Sequence, residues 1–86
     1  MFVIECYWPG VTEDQLRTAL ARLEGMGGPV LSRGCLLLTA DETAFFLVEA
    51  SSIDDVRVAT EVVRIPADRI AEAIEIGVAD LAQRTS

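Results

Sequence analysis

Two carboxylates keep unusual company in this sequence. Glu5 sits inside the run Phe2-Val3-Ile4-Glu5-Cys6-Tyr7-Trp8, and Glu49 closes Phe45-Phe46-Leu47-Val48-Glu49, so each is the lone charge in an apolar stretch. Two carboxylates sharing a low-dielectric site cannot both ionise cheaply, and one of them then titrates high. That is the condition for a general acid or base near neutral pH, and also a way of holding a hard divalent cation. Around them, Tyr7 can orient a polar ligand, Arg33 or Arg69 can neutralise one carboxylate, and Val3, Phe45 and Leu47 supply apolar lining. The plainer alternative is a structural Glu–Arg network at a subunit interface. The chain has no histidine, so a Ser or Cys nucleophile lacks its usual base.

Whether Glu5 and Glu49 share a site depends on the elements that carry them. Phe2 to Trp8 reads as a strand stopped by Pro9-Gly10, with Phe2, Ile4, Cys6 and Trp8 on one face and Val3, Glu5 and Tyr7 on the other. Thr12-Glu13-Asp14-Gln15 is a capping box, and Leu16, Ala19, Leu20 and Leu23 follow at helical spacing until Gly25, Gly27 and Gly28. Pro29 to Thr39 and Thr43 to Ala50 form a hairpin around Asp41-Glu42, with a bulge expected at Gly34. In the later strand Phe46, Val48 and Ala50 share one face, and Phe45, Leu47 and Glu49 the other. Ser51-Ser52 with Asp54 and Asp55 caps a second helix with the stripe Ile53, Val56, Ala59, Thr60 and Val63, stopped by Pro66.

Asp68 to Gln83 is ambiguous by pattern. Its residues are good helix formers, yet Ile70, Ile74 and Ile76 alternate around Glu72, and Gly77 interrupts the run. A strand at about 69–76 completes the order β-α-β-β-α-β, the ferredoxin-like sandwich of an antiparallel sheet with two helices on one face. The fold class is therefore α+β. One domain spans 1–86, with 76–86 as a C-terminal extension able to form a short helix. The first and third strands are expected to be central, adjacent and parallel, which would bring Glu5 and Glu49 together on the open face.

Whole-chain quantities narrow the functions. Eighty-six residues make one domain with a thin core, yet 51% are apolar and mean hydropathy is +0.37. That surplus calls for a partner surface or a lined cavity. A net charge of −7, with seven arginines and no lysine, argues against nucleic acid and anionic lipid as partners. No apolar run approaches the length of a membrane span, and the N-terminus does not read as a secretory signal, so the cytoplasm is the expected location. Cys6 and Cys35 have no C-x-x-C spacing and read as small buried hydrophobes.

Three segments carry a resemblance. Phe2-Val3-Ile4-Glu5-Cys6-Tyr7-Trp8-Pro9-Gly10-Val11-Thr12, Phe46-Leu47-Val48-Glu49-Ala50-Ser51-Ser52 and Ile65-Pro66-Ala67-Asp68-Arg69-Ile70 resemble, in order, parts of a bacterial family of small domains of unknown function. Its members commonly carry the label nickel-binding-protein-like. The resemblance spans about residues 2 to 76. It implies a ferredoxin-like fold, a strand at 69–76, and two chains pressing their sheets into a dimeric α/β barrel. Imidazole is a usual nickel ligand, and a chain without histidine does not inherit that ligand set. No metal ligands are assigned, and no cofactor is identified.

The expected function is that of a small-ligand-binding homodimer or higher even oligomer. Val3, Tyr7, Phe45 and Leu47 would line a central cavity with Glu5 and Glu49, near Arg33 and Arg69. The alternative is a small cofactor-independent enzyme of isomerase or cyclase type, with one barrel carboxylate as general base.

Overall fold

A computed structural model describes residues 1–77. The elements are β1 (Phe2–Tyr7), α1 (Glu13–Gly25), β2 (Leu31–Leu38), β3 (Thr43–Glu49), α2 (Ile53–Val63) and β4 (Arg69–Glu72), with a turn of 3₁₀ helix at Thr39–Asp41 between β2 and β3. The order is β-α-β-β-α-β, in one four-stranded sheet arranged β2-β3-β1-β4.

Local chemistry accounts for the boundaries. The Thr12 hydroxyl accepts the Gln15 N–H at 3.2 Å, and the Gln15 side chain accepts the Thr12 N–H at 2.9 Å, closing the capping box of α1. Ser52 caps α2 by accepting the Asp55 N–H. α2 ends when Arg64 turns left-handed at φ 59°, which lets the Ile65 N–H reach the Thr60 carbonyl at 3.0 Å. Gly34, at φ 117°, takes the bulge: Ser32 faces Val48 while Gly34 already faces Leu47, so Arg33 is the extra residue.

The helices cover one face of the sheet. Phe2, Ile4 and Cys6 from β1 and Ala44, Phe46 and Val48 from β3 are buried there, against Leu16, Ala19 and Leu23 of α1 and Val56, Ala59 and Val63 of α2. These are the strand faces and helix stripes that periodicity picks out. No helix among the described residues is long and apolar enough to cross a membrane.

Two expectations need correcting. The central strands β1 and β3 are antiparallel, not parallel. The α1 crossover returns the chain in the direction of β1, and the hairpin then reverses it, so β3 must oppose both strands. Secondly, β4 ends at Glu72 instead of about residue 76. Its partner β1 begins at Phe2, opposite Glu72, and a single further bond, from the Ala73 N–H to the Met1 carbonyl, continues the pairing past it. The short helix expected in 76–86 falls largely on residues 78–86, outside those described.

Candidate functional site: the open sheet face

The face away from the helices collects the candidate residues in cross-strand rows. In one row Leu36, Phe45, Glu5 and Arg69 run from β2 to β4. The next holds Gly34, Leu47, Val3 and Ala71. On the other side of the Glu5 row lie Leu38, Thr43 and Tyr7. Val3, Glu5, Phe45 and Leu47 are half-buried, whereas Tyr7 and Arg69 are exposed.

Glu5 and Glu49 do not meet. Glu5 faces Phe45, and Glu49 lies four positions further along β3, about 13 Å away at the strand rise. Each stands late in its strand, but antiparallel strands send their late residues to opposite ends. The carboxylate pair that would raise a pKa or hold a cation is therefore not formed within one chain.

Each carboxylate has an arginine nearby. Arg33, pushed outward by the bulge, donates to Glu49 at 3.0 Å and reaches Glu75 at 3.2 Å. Arg69 lies directly across from Glu5 on the neighbouring strand. Among the described residues Arg69 takes part in no ion pair. Asp68, beside it, fixes the junction: its carboxylate accepts the Tyr7 N–H, and its own N–H donates to the Glu5 carbonyl at 2.8 Å. Glu5 is thus held on a backbone tied from both sides.

Sequence reasoning missed Leu31, Leu36 and Leu38, which are 61%, 57% and 42% exposed on this same face. The signal was available. Once a bulge is placed at Gly34, counting alternation across it puts all three on the face of Phe45 and Glu49, with Leu38 opposite Thr43. Glu75 was missed as well, although alternation from Arg69 through Ala71 puts the odd-numbered positions of the expected last strand on this face.

At the Glu49 end of the open face Met1, Arg33, Glu49, Ala73, Ile74 and Glu75 line a shallow, open depression of ≈ 390 Å³. A larger groove of ≈ 550 Å³ runs elsewhere, between α1 and β2, past Leu16, Leu20, Cys35 and Leu37. Its rim charges, Glu13 and Arg17, are paired with each other.

The cysteines face the helices. Burial, followed by the nearby Asp68, Cys35 and Glu5, pushes the Cys6 thiol up to about 12. Burial also raises Cys35. Neither supplies a thiolate at neutral pH. Among the described residues no group of three or more His, Cys, Asp or Glu side chains is arranged to hold a metal ion. With no imidazole in the chain, the residues present do not fit a nickel centre.

No family model matches the chain, and no curated protein matches it. The crystal structure of SCO4226 from Streptomyces coelicolor A3(2) is similar in fold, with a TM-score of 0.77 over 87% of this chain and 96% of that one. Sequence identity is 24%, and the likeness is one of fold alone.

Proposed function

We propose that this protein works as a homodimer that closes two open sheet faces over a small, largely apolar ligand, with Glu5 receiving the ligand's one donor or cationic group. The observation that carries the reading is the row of apolar side chains on the uncovered face. Leu36 and Phe45 adjoin Glu5, with Val3 and Leu47 in the next row. An antiparallel sheet that keeps one side in water ordinarily alternates apolar with polar residues. Here the outward side also carries Val3, Phe45, Leu47 and, from β2, Leu36, which contribute to the 51% apolar composition.

A second copy suits this face because it carries both signs of charge. Glu5 lies beside Arg69, and Arg33 beside Glu49. A two-fold axis brings one surface against itself, so a patch with both signs is self-complementary when the offsets match. The resemblance to a family of dimeric barrels implies the same arrangement. Closure withdraws Glu5 from water, where a hydrogen-bonded ligand group offsets the cost of burying it. The general-base alternative, with one barrel carboxylate as base, drew support from a shared carboxylate site, and within one chain Glu49 stands four positions along β3 from Phe45, which faces Glu5.

Native mass spectrometry on gently purified protein tests the proposal. The expected result is a dimer carrying a discrete extra mass, which the Glu5→Gln dimer fails to retain. A wild-type dimer without added mass refutes the ligand. A monomer at every concentration refutes the covered face.

A further inference from the structure

Residues 73–76, which follow β4, add no further strand or helix. Ala73 is anchored by its N–H to the Met1 carbonyl, and Glu75 is anchored to Arg33 of β2, on the far side of the sheet. Residues 73–76 therefore cross from the β4 edge towards the opposite edge, along the Glu49 end of the open face. Between and beyond these two anchors stand Ile74 and Ile76, 82% and 85% exposed. They are the most exposed of the large apolar side chains in the described structure. Two isoleucines in water, one between the anchors and one just past them, are an interaction surface in search of its occupant.

Area identifies that occupant. Four strands spaced about 4.8 Å apart and some six residues long at about 3.4 Å each give a sheet footprint on the order of 400 Å². A stable interface takes about 800 Å² from each partner. The open face by itself makes a small interface, to which further contact area adds. Each exposed isoleucine adds on the order of 100 Å² of apolar surface, and Leu31, 61% exposed, borders the same end.

We infer that residues 73–76 form a dimerisation arm whose Ile74 and Ile76 pack on a second copy of this chain, extending the interface beyond the sheet. The inference rests on the proposed covering of the open face by a second copy and names the part of the chain that supplies the further area. Arg33 is the arm's positioning residue: one guanidinium holds Glu49 of the sheet and Glu75 of the arm. The two-fold symmetry doubles the contribution, because each partner offers its own pair of isoleucines.

Sedimentation equilibrium over a concentration series tests this on three forms of the full chain: wild type, Ile74→Ser/Ile76→Ser, and Leu36→Asp. The arm variant is expected to raise the dimer dissociation constant at least about a hundredfold, since four isoleucines leave the interface. Its far-UV circular dichroism at high dilution should match wild type, because both side chains are solvent-exposed in the single chain. Ile76→Ser alone should show the same effect at about tenfold. A dimer that survives the double change within about twofold while Leu36→Asp splits it overturns the arm and leaves the covered face standing. A wild-type monomer overturns both.

Discussion

Phe45 and Phe46 are adjacent in β3 and live in different media. Phe46 is fully buried beneath the two helices, and Phe45 is half-buried on the side that nothing in the described structure covers. The same contrast runs along β1, where Ile4 and Cys6 are sealed and Val3 and Glu5 are half-buried. On the sealed side, side chains are chosen for packing alone, and no buried side-chain polar atom among the described residues lacks a partner. On the open side, apolar bulk is mixed with Glu5, Arg69, Arg33 and Glu49. A surface built only to face water has no use for the bulk, and a core has no use for the charges. The mixture belongs to a surface that is covered part of the time, or by something polar in places.

Substitutions that treat the two sides alike should therefore give unlike results. Phe46→Ala should remove about 3–5 kcal/mol of folding stability, enough to unfold much of a domain this small. Phe45→Ala should cost dilute protein only about 1 kcal/mol, its effect appearing instead as weaker dimerisation. Urea denaturation at low and high protein concentration separates the two, and equal losses at low concentration would erase the distinction between the faces.

Alkaline titration reads the sealed side. The Cys6 thiol is pushed from 9.0 to about 12 in the fold, so the unfolded chain loses this proton first. Its contribution to stability is complete below pH 9 and declines as pH rises towards 12, at about 1.4 kcal/mol per unit. Urea denaturation at a series of alkaline pH values should show that decline in wild type and lack this component of it in Cys6→Ala. The smallest effect expected is on the open side: Arg33→Gln breaks two partly exposed ion pairs and should cost less than about 1 kcal/mol, vanishing in high salt. A larger, salt-independent loss would mean that Arg33 is already packed as a core residue.

The division into faces was legible in the sequence, because alternation in β1 and β3 and the stripes of α1 and α2 are local periodicities. So were both caps and the bulge, each signalled by a few adjacent residues such as Thr12 with Gln15, or Gly34. What was not legible was relative direction. Alternation tells that Glu5 and Glu49 share a face and nothing about how far apart they lie along it; that distance follows from strand polarity, a property of the whole topology. The length of β4 was hidden for a similar reason. Ile74 and Ile76 continue the alternation of Ile70, but a strand extends only as far as its neighbour does, and β1 runs out at Phe2.

The extra residue in β2 has a consequence for the history of this chain. Because Arg33 is unmatched in the ladder, the two halves of β2 run out of phase: Leu31 faces outward as an odd-numbered position, whereas Leu36 and Leu38 do so as even-numbered ones. A deletion at position 33 would restore perfect alternation and leave every other residue on its present side: Leu31 outward, Ser32 inward, Gly34 outward, Cys35 inward. A single codon lost from the matched stretch 35–38 would instead exchange inside for outside in one part of the strand, while one lost in the 39–42 turn merely shortens a connection. Relatives aligned across this strand with a gap at 33 are therefore compared like face to like face.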